Sequence, residues 1–281
     1  MRDRICLVTG ATSGIGYDTA LGIARRGGTV VLVGRDDVRG RSAVTAIRSA
    51  SGNTNVEFIQ ADMSVQSEVR RLADAFRARH SQLNVLVNNA GGLFMNGQMS
   101  ADGIEMTLAL NHLGGYLLTR LLLPVLIASA PSRIVNVSSV AHLGLRINFD
   151  KFRFGGWNGY GRSKLANILF TYELARRLAG SGVTVNALHP GLVASGFGMN
   201  NSGLFPWVKP LVNAMAITNE DGARTSVHLA CAADVNGVTG QYFVKCRSTR
   251  SSPASYDDVA AARLWDVSAS MTGLDALEET R

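Results

Sequence analysis

Tyr160 and Lys164 stand four residues apart, 21 residues after a serine, Ser139, that closes an apolar run. On a helix, residues at i and i+4 share a face, so an ammonium would sit beside a phenol. A neighbouring cation favours phenolate and draws a tyrosine down from its ordinary value of about 10. Each unit of such a shift is worth about 1.4 kcal/mol, so one lysine does not bring a tyrosine into the neutral range; several effects must act together. A tyrosine and lysine at this spacing also arise by accident on a solvated helix face. The chemistry therefore depends on what the rest of the chain places around them.

The elements that must do the placing alternate. Short β-branched runs at 5–9, 29–33, 56–60, 85–87, 134–137, 183–188 and 241–244 read as strands, and segments 20–26, 68–80, 102–128, 160–179 and 220–232 read as helices. This alternation predicts an α/β fold: one Rossmann-type domain spanning 1–281, with a doubly wound, parallel seven-stranded sheet and helices on both faces. Two segments, 141–159 and 195–218, follow strands without fitting the pattern. Open parallel sheets bind ligands beyond the carboxyl ends of their strands, so both are expected to wall a site.

The first strand runs into Thr9-Gly10-Ala11-Thr12-Ser13-Gly14-Ile15-Gly16. Glycines between a strand and a helix let backbone approach a pyrophosphate, which the helix N-terminus then meets with free N–H groups. A carboxylate closing the second strand would select the ribose 2′-hydroxyl of NAD(H). Here the strand ends in Gly34-Arg35, a guanidinium suited to a 2′-phosphate, with Thr12 and Ser13 as further donors. Asp36 and Asp37 follow and could pair with Arg35 or reach the ribose, so NADP(H) is expected ahead of NAD(H), which stays possible. Asp62 and Met63 suit an adenine edge, and the 88–91 turn, with Asn89 and Gly91, brings backbone close to the same crevice. Asn111 sits in a helical segment where asparagine is a poor former. Ser138 and Ser139 end the fifth strand, and either hydroxyl could donate to a substrate oxygen.

Composition narrows the classes. Of 281 residues, 46% are hydrophobic and 17% charged, which fits a globular chain, and no run of about 18 uninterrupted apolar residues marks a membrane span. The start shows no signal-peptide pattern, and a cytoplasmic location is expected. Cys6, Cys231 and Cys246 fit reduced thiols, and five scattered histidines offer no metal spacing. The net charge of +7 is dispersed in pairs such as Arg25-Arg26 and Arg176-Arg177, so solvated helix surface is favoured over nucleic-acid binding.

In order along the chain, 9–16, Asp62, 88–91, Asn111, Ser139, Tyr160 with Lys164, and Pro190-Gly191 resemble the short-chain dehydrogenase/reductase family. The runs 134–142, 163–167, 189–191 and 240–243 look most like its retinol dehydrogenase branch, although the N-terminal anchor of the membrane-bound retinol enzymes is not seen. The resemblance implies a four-part site. Tyr160 is its acid or base, Lys164 lowers the tyrosine's pKa and holds the nicotinamide ribose, Ser139 rather than Ser138 binds the substrate oxygen, and Asn111 holds a water that leads protons to Lys164. Pro190, Gly191, Val193 and Ser195 would fix the nicotinamide carboxamide. The expected activity is hydride transfer between NADP(H) and a small hydrophobic carbonyl or alcohol: a retinoid, a steroid, or a fatty or aromatic aldehyde or ketone. Phe197, Phe205 and Trp207 suggest an apolar lid, and Phe149, Phe152, Phe154 and Trp157 a second wall. Family habit suggests a homodimer or homotetramer. The competing reading is a nucleotide sensor or scaffold that kept the fold and lost the chemistry; retention of all four site residues speaks against it.

Overall fold

The computed structural model describes residues 1–150, 152, 154–191 and 218–274. Its strands are β1 (Ile5–Thr9), β2 (Thr29–Gly34), β3 (Val56–Gln60), β4 (Val85–Asn88), β5 (Ser132–Val137), β6 (Val183–His189), β7 (Gln241–Val244) and β8 (Arg247–Ser248). They form one sheet in the order β3-β2-β1-β4-β5-β6-β7-β8. The first seven are parallel, with in-register pairs such as Leu7 with Val31 and Leu7 with Leu86. Cys6, Leu7 and Val8 on β1 and Val30 to Val33 on β2 are sealed from solvent. Strands covered on both faces need uninterrupted apolar runs, which is why these segments lack the alternation of a half-exposed sheet.

Eight helices cover the sheet: α1 (Gly14–Ala24), α2 (Asp37–Ser51), α3 (Gln66–Arg77), α4 (Met106–Leu108), α5 (Gly114–Ala128), α6 (Gly156–Arg177), α7 (Asn219–Cys231) and α8 (Asp258–Thr272), counted among the described residues. One core joins α3, α5 and α6 to the sheet through Leu72, Phe76, Leu117 and Leu174; the other joins α1, α2 and α7 through Ile23, Ile47 and Leu229. A π turn over Ala109–Leu113 links α4 to α5 in a continuous 23-residue helix, Met106–Ala128, long and apolar enough to cross a membrane by length and composition. Leu117, Leu118, Leu122 and Leu126 are buried in the sheet-facing core, so its apolar character is accounted for by packing.

The sheet has eight strands where seven are expected from the sequence. Lys245 and Cys246 turn with φ of 49° and 62°, and β8 returns antiparallel to β7. Such two-residue turns are usually marked by Asn-Gly or Asp-Gly, and neither stands here. Helices α2 and α8 were not expected either. In α2 only Gly40, Ala43 and Ile47 are buried, too sparse a stripe to show as helical periodicity. The second wall is also revised. Phe154 is buried, and Phe149 and Phe152 pack with it against Leu165, Leu169 and Leu264 of α6 and α8, whereas Trp157 is exposed.

Candidate active site

The strand order reverses between β1 and β4, and the predicted residues gather at the carboxyl ends of the strands around this switch point. At the end of β5 the two serines separate. Ser138 is buried and its Oγ donates to the Lys164 carbonyl at 2.7 Å, locking the strand to α6. Ser139 starts a single 3₁₀ turn, Val140–His142, accepting from the Ala141 N–H at 3.2 Å, and its hydroxyl hydrogen-bonds the Tyr160 phenol. Of the two hydroxyls, it is that of Ser139 which faces Tyr160.

Tyr160 reaches Ser139 because α6 passes very close to that turn at Gly161. A Cβ on Gly161 would overlap the Ala141 carbonyl oxygen and the Leu145 side chain. Lys164 is one turn further along, buried, with Nζ 5.6 Å from the Tyr160 ring centroid and donating to the Val137 carbonyl at 3.1 Å. Burial pushes Tyr160 up to about 12, against the opposing hydrogen bond from Ser139. Burial likewise pushes Lys164 down to about 8. In the free protein the ammonium is directed at a backbone carbonyl, and desolvation of the phenol dominates.

Asn111 lies in the π turn, a distortion often found at functional sites. Its Oδ1 accepts from Gly92 N–H at 2.8 Å, and its Nδ2 donates to the Gly92 carbonyl at 2.9 Å and to Ser163 Oγ at 3.0 Å. The side chain thus clamps the turn after β4 to α6. A Cβ on Gly91 would lie 3.2 Å from Asn111 Oδ1 and 3.4 Å from Lys164 Nζ, so the turn passes close to both groups.

The glycine turn is built from two stretches of chain. Gly10 and Gly14 have φ of 64° and 59°, in the left-handed region that glycine enters freely. A Cβ on Gly10 would sit 2.9 Å from Ala90 Cα, and one on Gly16 would overlap the Gly10 carbonyl and Asn89 Nδ2. Asn89 Nδ2 donates to the Thr9 and Gly10 carbonyls at 2.8 and 3.2 Å, while Thr9 Oγ1 accepts from the N–H groups of Asn89 and Ala90. Ser13 caps α1 without a side-chain capping bond, which leaves its hydroxyl and the first N–H groups of the helix, at Gly14, Ile15 and Gly16, for an anion. The residues present fit a dinucleotide pyrophosphate.

At the end of β2, Arg35 is exposed and Thr12 packs its methyl over Gly34. The acids that clouded this corner are engaged elsewhere: Asp36 caps α2 by accepting from Arg39 N–H at 3.0 Å, and Asp37 pairs with Arg41 Nε at 2.7 Å. One oxygen of Asp62 is occupied by the N–H and hydroxyl of Ser64, and Met63 is buried beside it. Pro190 and Gly191 follow β6, with Gly191 at φ 100°. Val193, Ser195 and the apolar lid lie outside the described residues. The sequence reading missed the part played by Gly161 and by two histidines of the quoted runs, His142 and His189, which hold the Ser139 turn; their only signal was membership in those runs.

A doubly wound sheet, a glycine cradle at its switch point and a serine, tyrosine and lysine gathered beside it define a Rossmann-type oxidoreductase. The family model for short chain dehydrogenase matches residues 4–203. The chain belongs to the short-chain dehydrogenase/reductase family, in its retinol dehydrogenase-like branch. It is 42% identical to retinol dehydrogenase 12 of Bos taurus over 96% of this chain and 87% of that protein. It is 43% identical to retinol dehydrogenase 11 of Homo sapiens, over 96% and 86%. Among solved structures, it superposes with a TM-score of 0.77 on an uncharacterised protein from Mycobacterium paratuberculosis, at 32% identity over 98% of this chain and 95% of that one. The Pseudomonas aeruginosa RhlG/NADP active-site complex gives 0.71 at 29% identity, over 86% and 94%.

Proposed function

We propose that this chain is an NADP(H)-dependent oxidoreductase that interconverts a hydrophobic carbonyl and its alcohol. The observation that carries the reading is the hydrogen-bonded Ser139 and Tyr160 pair beside a buried Lys164, at the open end of β5. The 10–16 turn and Arg35 would hold NADPH, whose nicotinamide would supply the hydride. A tyrosine held at about 12 is in its acid form at neutral pH, as protonation of a carbonyl oxygen requires, and Ser139 would donate to the same oxygen as negative charge develops there. Lys164, at about 8, can exchange a proton near neutral pH, with Asn111 and Gly91 next to it as the place for a relaying water.

Two features support an apolar substrate. Val140, beside Ser139, Leu143, and Trp157, whose ring lies 6.0 Å from that of Tyr160, are all exposed large apolar side chains around the catalytic groups. The relatives named retinol dehydrogenases add a conjugated alcohol or aldehyde to the range, beside steroids and fatty or aromatic carbonyls. The test is NADPH oxidation with a panel of such aldehydes and ketones. Tyr160→Phe is expected to lose at least about 100-fold in kcat, the lower end of what a positioned acid contributes. A variant as active as the wild type would remove Tyr160 from the reaction. The cofactor preference has its own measurement: Arg35→Asp should raise KM for NADPH by about 10-fold or more while lowering or sparing that for NADH. An unchanged ratio would dismiss Arg35 as the selecting group.

A further inference from the structure

The Ser139 turn is held by more than its own strand. The Ser139 carbonyl accepts from the His142 N–H at 3.2 Å and from His142 Nδ1 at 2.6 Å. The opposite ring nitrogen, Nε2, lies 3.0 Å from the backbone N–H of Ser252, on the segment that follows β8. A backbone N–H can only donate, so Nε2 must accept, and the single ring proton is on Nδ1, directed at Ser139. The imidazole is sealed from solvent, meets the Tyr242 ring of β7 edge-on at 5.3 Å, and is kept neutral by burial. A second histidine acts on the same turn: Val140 N–H donates to His189 Nδ1 at 3.4 Å, and His189 directly precedes Pro190 and Gly191.

We infer that His142 is a positioning residue for the substrate-binding hydroxyl: its ring ties the Ser139 turn to the segment after β8 and so sets Ser139 Oγ against Tyr160. The inference rests on the proposed roles of Ser139 and Tyr160. No side chain but histidine combines the needed geometry, a donor on one edge and an acceptor on the other within one rigid ring. Among the described residues the Ser139 turn is otherwise fixed by its short 3₁₀ bonds, the longer bond from Val140 N–H to His189, and the contact with α6 at Gly161. A displacement of about 1 Å at such a group can cost about 100-fold in rate, so the tether bears directly on turnover.

The experiment compares His142→Phe, which keeps a ring and removes both bonds, with His142→Asn, which keeps an N–H donor near the Nδ1 position. Two readouts are taken: the Cζ resonance of Tyr160 in ¹³C-tyrosine-labelled protein, identified with Tyr160→Phe, and steady-state kinetics with NADPH and a hydrophobic ketone. Ser139→Ala gives the resonance position of a Tyr160 without its serine. His142→Phe should move the resonance toward that position and lower kcat by about 10- to 100-fold, with KM for NADPH within about twofold of wild type. His142→Asn should restore most of both. The inference is overturned by a wild-type resonance in His142→Phe, or by His142→Asn as impaired as His142→Phe. If His142→Phe does not fold, His142→Gln, which retains a group near Nε2 but loses the donor to Ser139, is read in its place. Should the wild type turn over no carbonyl, the functional reading fails, while the resonance still decides whether His142 sets the serine.

Discussion

The carbonyl oxygen of Val137 accepts from two side chains of α6, Lys164 Nζ at 3.1 Å and Asn167 Nδ2 at 3.3 Å. Through it the last residue of β5 fixes the lysine, and the next two residues divide the remaining work between anchoring and chemistry. The arrangement has an energetic cost. Lys164 falls from 10.5 to about 8 through burial, which amounts to about 3 kcal/mol of unfavourable free energy at most. The sign follows from proton linkage: below pH 8 both folded and unfolded chains carry the charge, and the full penalty applies. As pH rises from 8 to 10.5 the folded lysine loses its proton first, and the penalty fades. Lys164→Met should therefore be inactive yet more stable than wild type at pH 7, by up to about 3 kcal/mol less the lost bond to Val137. Urea denaturation at pH 7 and pH 10 checks this, with the difference shrinking at the higher pH; a variant less stable at pH 7 would show that the bond outweighs the burial.

At the scale of elements, the site is the product of one close crossing. Helix α6 carries Tyr160, Ser163 and Lys164 on one side, and Gly161 lets it settle onto the Ala141 carbonyl. Gly161→Ala should leave the fold intact and push α6 away from the Ser139 turn. The expected result is a 10- to 100-fold loss of kcat, of the order that a 1 Å misplacement produces, with a smaller loss in NADPH binding because the glycine cradle and Arg35 lie on other elements and only the Lys164 contact on α6 is disturbed. Fluorescence titration with NADPH beside steady-state kinetics separates the two; equal losses in both would point to general disruption. Much of this arrangement was legible in the sequence. Ser139 and the 9–16 turn announce themselves because they sit where a strand gives way to a turn, and Tyr160 with Lys164 gain meaning only from the order in which these motifs follow one another along the chain. What was not legible depended on contacts distant in sequence. Gly161 reads as an ordinary weak helix residue until Ala141 is brought against it. Asp36 and Asp37 looked like rivals for Arg35 because helix α2, which employs both, shows too few buried positions to be seen. Phe149, Phe152 and Phe154 resemble a substrate wall only while α8, their partner, is also unseen.

The molecule as a whole holds neutral imidazoles at two distant junctions, one buried and one half-buried. His112, in the π turn, spans Asn167 of α6 and Ser268 of α8, and burial holds it at about 4. His189, at the end of β6, is likewise held at about 4 by burial and by the nearby His142. A depressed histidine favours the folded state above its unfolded value of 6.5, and that contribution is lost as pH falls from there through 4. At pH 5 the unfolded chain binds nearly two more protons at these sites, a slope of about 2 kcal/mol per pH unit. Unfolding free energies measured between pH 6.5 and 5 should fall at about this rate; a flat profile would mean that one or both rings are already charged in the native protein.

The bracing of the glycine turn by Asn89 and Ala90 has a consequence for transplanting this motif. The two stretches are 80 residues apart in sequence, and the space that admits an anion is bounded by both. Moved alone into a foreign strand-turn-helix, residues 9–16 would bring the flexibility of three glycines without the amide that disciplines it. A graft that retains the shape has to carry β4 and its Asn89-Ala90 ending as well, so the smallest portable unit is a pair of adjacent strands.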